Sequence, residues 1–237
     1  MPTSLDSIQL VAFTLPVNGR DTLAMWRKLF KTPPSNFNQV PGGVGQCSGQ
    51  VGAYNVTLQS QPSRVDLILT GPPIPSTPPI LEDGEEALKF GQDRMAALIP
   101  TGTQRVAMVI QRSDEQPDLA AAIAAIKRMV PHLSAPGDAV DLSYQVAVPR
   151  PSKVMPGLDL HLLTRWNTGS KSLIKLNVGA AGVSVDQEQE TRVISALYLD
   201  LYSSQPRSLF PKKAIAVLDE LAEYARQLLS RGYASLV

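Results

Sequence analysis

Asp159 and His161 stand two residues apart in Leu158-Asp159-Leu160-His161-Leu162, and Arg165 follows four residues later. On a strand, alternation puts the acid, the imidazole and the guanidinium on one sheet face and the leucines on the other. Such a trio could support acid-base work or hold an anionic group. The same rule groups Tyr198, Asp200 and Tyr202 opposite Leu197, Leu199 and Leu201. Two tyrosines around a carboxylate make a recognition surface, because tyrosine supplies large contact area at small entropic cost. Asp159, His161, Arg165, Tyr198, Asp200 and Tyr202 are therefore the candidate binding residues. The competing readings are a solvated face with ordinary cross-strand pairs, and a face covered by the last helix.

Gly45-Gln46-Cys47-Ser48-Gly49 has the spacing of a nucleophile elbow with cysteine at its centre. An elbow needs a strand before it and a helix after it. Here residues 36–43 read as loop and the following run is β-prone, so the glycines read as a flexible approach to a strand. No catalytic residue is assigned. A phosphate cradle fails on the same ground, since such a turn must open into a helix. His132 follows Pro131 at a helix end, where a cation suits the dipole. Lys153, Arg165, Lys171 and Lys175 could gather as a basic strip around a hairpin, but no known nucleic-acid motif frames them, and a solvated hairpin is the simpler reading.

The chain of 237 residues carries 22 Lys plus Arg against 21 Asp plus Glu, a formal net charge of +1. No chain-wide field recruits nucleic acid or an anionic membrane. The single cysteine excludes an internal disulfide, and two histidines leave little for a metal. No cofactor and no metal are expected. No long apolar run and no basic leader is found, so a soluble cytoplasmic protein without membrane attachment is expected.

The elements that must position these residues follow from periodicity and punctuation. Ile8 to Leu15 reads as a strand; Asp21 caps a helix over 22–31 that Pro33-Pro34 ends. Residues 33–50 read as loop, and strands are expected over 51–59 and 64–70. Prolines at 72, 73, 75, 78 and 79 make an extended connector. A helix over 83–99 follows. Gln104 to Gln111 (QRVAMVIQ) then resembles residues 9–15 (QLVAFTL), again ahead of a capping acid, Asp118, and a helix to Val130. Strands are expected over 139–148, 158–166, 172–178 and 193–202, with Asn167-Thr168-Gly169-Ser170 as a hairpin turn between the middle two. A long helix from Pro211 stops near Gly232.

The expected order is β-α-β-β-α followed by β-α-β-β-β-β-α. That is an α+β fold of two similar units, residues 1–100 and 101–237, tightly associated, with mainly antiparallel sheet and helices on one face. Similar units suggest an internal duplication.

Ala196-Leu197-Tyr198-Leu199-Asp200-Leu201-Tyr202, the Pro-containing linker after it, and the final helix with Leu218-Asp219-Glu220-Leu221 carry a resemblance. The chain resembles a sporadically distributed, functionally uncharacterised bacterial family with duplicated α+β halves. The resemblance implies an accessory or interaction role, sometimes beside mobile or defence-related loci, and supplies no catalytic residues. The functional expectation is a non-enzymatic bacterial accessory protein that binds a protein partner or itself. The alternatives are a small-ligand binder or enzyme using Asp159, His161 and Arg165, and a phage or secretion-system structural component.

Overall fold

The computed structural model describes the chain except residues 1–3, 18, 74–77, 137–138, 180–181, 205–208 and 237, and describes residues 173–190 outside that gap by their backbone alone. Nine strands form one sheet: β1 (Ser7–Thr14), β2 (Asn36–Val40), β3 (Val44–Val51), β4 (Tyr54–Gln61), β5 (Arg64–Thr70), β6 (Thr103–Gln116), β7 (Ser143–Pro151), β8 (Asp159–Gly179) and β9 (Gly182–Ser203). Their spatial order is β2-β3-β4-β5-β1-β6-β9-β8-β7, with every neighbouring pair antiparallel. The helices are α1 (Thr22–Phe30), α2 (Gly84–Ala96), α3 (Leu119–Met129) and α4 (Pro211–Arg231).

Helix starts follow the local chemistry. Asp21, Asp83 and Asp118 accept hydrogen bonds from the amides of Ala24, of Glu85 and Glu86, and of Ala121. These satisfy donors that the first helical turn leaves without partners. Pro211 opens α4, where its missing N–H costs nothing. Gly232 ends it with φ +59°, and a Cβ there would lie 2.5 Å from the Met129 carbonyl oxygen.

All four helices pack on one face of the sheet. Ile8, Leu10, Val56, Leu58, Val65, Leu67, Leu69, Val106, Met108, Ile110, Leu160, Leu162, Leu199 and Leu201 form the buried floor beneath them. Glycines set how closely the helices approach. A Cβ on Gly91 of α2 would meet the Leu10 and Leu69 side chains at 3.0 and 3.1 Å, and one on Gly45 would collide with Thr22 of α1. A Cβ on Gly49 would press on Ser35 and on the Trp26 ring.

Each half runs strand, helix, antiparallel meander, helix, and β1 pairs with β6 so that the halves share one core. The short run linking 9–15 to 104–111 does not superpose on this frame. It sets Leu10, which faces the helices, against Arg105, which faces away. A one-residue offset exchanges the two faces of a strand, so that run is not a structural equivalence.

Three local expectations are corrected. Residues 36–40 and 44–51 are strands, because Phe37 and Cys47 find cross-strand partners despite the glycines. Residues 167–170 are not a turn. Gly169 keeps an extended backbone opposite Ile194, and β8 runs on to Gly179 opposite Gly182. The strands expected over 158–166 and 172–178 are therefore one strand, and the β8–β9 pair extends as a ribbon beyond β6 and β7. The two outer edges differ: β7 carries Pro149 and Pro151, which cannot donate to a further strand, whereas β2 is exposed throughout and has neither charge nor proline.

Candidate functional site: the helix-free face of the sheet

The face opposite the helices is where the sequence's candidate residues meet. Alternation along β5, β1, β6, β9 and β8 brings Arg64 and Asp66, Gln9 and Phe13, Arg105, Tyr198 with Asp200 and Tyr202, and His161 with Arg165 to this side. The last helix does not cover them. It packs on the other side of β6 and β9, the side to which the buried Leu197, Leu199 and Leu201 belong.

Five of these side chains form a continuous ladder across five adjacent strands. The Arg64 guanidinium carbon lies 5.2 Å from the Phe13 ring centre, and that of Arg105 lies 4.9 Å from it. Arg105 also lies 4.2 Å from the Tyr202 ring centre, and Tyr202 stacks on His161 at 5.0 Å with 16° between planes. Register explains the row, since Phe13 pairs with both Arg64 and Arg105, and Tyr202 pairs with His161. Four interstrand gaps make the ladder about 19 Å long. A second rung places Arg165 5.7 Å from the Tyr198 ring, with its Nε donating to Gln145 Oε1 at 2.8 Å.

The charges lie at different depths. Asp66 is almost fully buried and is saturated: Arg64 Nε donates to both its oxygens at 2.9 and 2.8 Å, and Gln9 Nε2 donates to Oδ1 at 2.8 Å. Asp200 is partly buried, and burial raises its carboxyl above the usual range, partly opposed by Arg105 and Arg64. Burial and the Asp200 charge likewise push the Tyr198 hydroxyl up, with Arg165 opposing. Arg105 makes no hydrogen bond or ion pair among the described residues, and its Nε is buried without a partner.

His161, Arg165, Tyr198, Asp200 and Tyr202 are thus brought together on adjacent strands. Asp159 shares the face but sits at the start of β8, paired with Pro151. Asp159 and Arg165 are separated by six residues of strand, about 20 Å at 3.3 Å per residue. They do not converge with His161 as an acid-base trio. Sequence reasoning missed Gln9, Phe13, Arg64, Asp66 and Arg105. The alternation of Arg64 and Asp66 against Val65 and Leu67 was readable, but the strand order that sets β5 and β1 beside β6 and β9 was not.

Other motifs resolve into structure. Cys47 is fully buried under α1, and burial with the nearby Asp21 charge raises its thiol, the reverse of what a nucleophile needs. Gly45, Cys47 and Gly49 are the floor on which α1 sits. Leu218 and Leu221 are core residues; Asp219 accepts from Gln92 of α2 at 2.7 Å, and Glu220 accepts from Ser152 Oγ and Lys153 N at 2.6 and 2.8 Å. The described members of the basic strip are engaged separately: Lys153 packs on Tyr224 of α4, Lys171 pairs with Asp6, and Arg165 lies over Tyr198 on the open face. The Lys175 side chain lies outside the described residues. His132 meets Tyr144 Oη at 2.9 Å. Among the described residues, no group of three or more His, Cys, Asp or Glu could hold a metal. No described helix is long and apolar enough to cross a membrane.

The chain matches no protein-family model and no curated protein. The functional reading therefore rests on its own residues.

Proposed function

We propose that this protein is a non-enzymatic accessory protein of the bacterial cytoplasm whose working surface for a protein partner is the helix-free sheet face. The observation that carries this reading is the Arg64–Phe13–Arg105–Tyr202–His161 ladder. Hydrophobic burial explains the helix side, but it does not explain an ordered row of rings and guanidinium groups facing away from the helices. Aromatic and arginine side chains are the types that carry most binding energy at protein interfaces. A duplicated origin for the units 1–100 and 101–237 is supported by their shared element order.

The test is retrieval of the tagged protein from its native lysate, with Tyr198→Ala/Tyr202→Ala as the paired variant. A stoichiometric protein recovered by the wild type and lost by a normally folded variant is the expected result. Equal recovery by both would remove this face from consideration.

A second reading, self-association as a structural component, draws on β2. Its five exposed residues carry no guarding charge or proline, and Phe37, Val40 and Val44 are exposed beside its hairpin. Sedimentation of Val40→Lys against the wild type tests it: a wild-type oligomer that the lysine dissolves is expected, and a wild-type monomer excludes it.

A further inference from the structure

We infer that the ladder is a receptor for carboxylates, so that the partner's contacting segment is an acidic peptide laid across β5, β1, β6, β9 and β8. This rests on the sheet-face reading and adds the partner's chemistry to it. Arg105 supplies the first argument. Its guanidinium is held between Phe13 and Tyr202, yet no carboxylate or other acceptor among the described residues bonds to it. A side chain fixed by two rings has already lost the freedom that binding would otherwise remove. No described residue uses its hydrogen-bonding capacity.

Depth supplies the second. The Asp66 side chain is 2% exposed while that of its partner Arg64 is 34% exposed, so the anion lies beneath the cation. Asp200 is near enough for Arg105 and Arg64 to act on its charge, yet it bonds to neither. Arg165 is exposed and engages a neutral amide and a ring rather than a carboxylate. Although the chain as a whole is nearly neutral, this face offers an incoming group Arg105 and Arg165, which bond to no carboxylate among the described residues, while Arg64 is engaged by Asp66.

Geometry supplies the third, and it selects carboxylate over nucleic acid. Single-stranded nucleic acids are held chiefly by bases stacking on exposed ring faces, together with a cationic track for the backbone. Here the faces of Phe13 and Tyr202 are taken by Arg64, Arg105 and His161. What remains available is guanidinium N–H, whose planar fork matches a carboxylate in two parallel bonds.

The experiment is fluorescence anisotropy of the full chain with fluorescein-labelled decaglutamate, with decalysine and oligothymidine as comparison probes. Saturable binding of decaglutamate alone is expected. It should weaken about tenfold or more in Arg105→Gln, the scale of one lost charged hydrogen bond. Arg105→Lys should recover part of the loss, and raising salt from about 50 mM to about 300 mM should weaken binding in every variant. Arg165→Gln, at an exposed position, carries the same test if Arg105→Gln fails to fold.

Absence of saturable decaglutamate binding overturns the inference, as does affinity unchanged in folded Arg105→Gln and Arg165→Gln, or tighter binding of oligothymidine. The sheet-face reading is judged separately, and equal lysate recovery by the wild type and Tyr198→Ala/Tyr202→Ala would overturn it. A lysate partner lost by Tyr198→Ala/Tyr202→Ala but kept by Arg105→Gln, with no decaglutamate binding, would retain the face and reject the carboxylate.

Discussion

Along β1, Ile8, Leu10 and Ala12 turn toward the helices and are fully buried, while Gln9 and Phe13 on the other side stay partly exposed among Arg64, Asp66 and Arg105. The same strand thus carries a core on one side and a charged, aromatic surface on the other. The helix side is stabilised by apolar area, and its glycines are fixed by how closely a helix must approach. The open side is organised by pairs, each individually small. The difference predicts that damage to the helix side costs stability first, whereas damage to the open side costs binding first.

The largest separation should come from Trp26. Its ring is 1% exposed, its Nε1 donates to the Thr32 carbonyl at 3.0 Å, and it packs on Phe30. Trp26→Ala should lower the unfolding free energy by about 3–5 kcal/mol, read from urea denaturation. Probe binding by the fraction that stays folded should match the wild type. A stable Trp26→Ala protein would mean the α1 side is not the core it is described to be.

Glu220 sharpens the comparison, because it is a charge on the buried side. Its two oxygens fasten α4 to Ser152 and Lys153 just after β7. Glu220→Ala leaves those donors without acceptors and should cost about 1–3 kcal/mol. Glu220→Gln should recover part of it by still accepting. Equal losses from both substitutions would show that shape, not hydrogen bonding, holds the contact.

On the open side, Tyr198→Ala/Tyr202→Ala removes two cation–π contacts and one stacked pair, each worth roughly 0.5–1 kcal/mol at partly exposed sites. The expected stability loss is smaller than that of Trp26→Ala, and the expected binding loss is larger. The reverse ranking, measured by denaturation and anisotropy on the same preparations, would break the division between faces.

Much of this division was legible in the chain. Tyr198, Asp200 and Tyr202 alternate with Leu197, Leu199 and Leu201, and His161 and Arg165 alternate with Leu160 and Leu162, so both faces can be assigned strand by strand. The aspartate caps and Pro211 mark helix starts because capping is local. Sheet order is not local. Nothing within residues 9–15 says that Phe13 will lie between Arg64 and Arg105, so three of the ladder's five side chains stayed hidden. Gly169 was misleading for a related reason: a glycine near polar residues signals a turn, yet a long partner strand can keep it extended. Gly45 and Gly49 misled in the opposite direction, since they admit α1 against β3, which only packing reveals.

The smallest effect is expected at Asp200, where the open face carries a carboxyl that burial raises despite two nearby arginines. The folded state holds its proton more tightly than the unfolded chain, so it binds extra proton in the interval between the ordinary carboxylate range and the raised one. Stability from this residue is therefore fully present below that interval and declines as pH rises through it. Asp200→Asn mimics the protonated form and should flatten the decline in urea midpoint measured from about pH 4 to about pH 7. A slope that steepens in the variant would mean Arg105 and Arg64 outweigh burial. In that case the negative charge of Asp200 would already serve as the counter-charge of the ladder, and an acidic peptide would have to compete with it for Arg105.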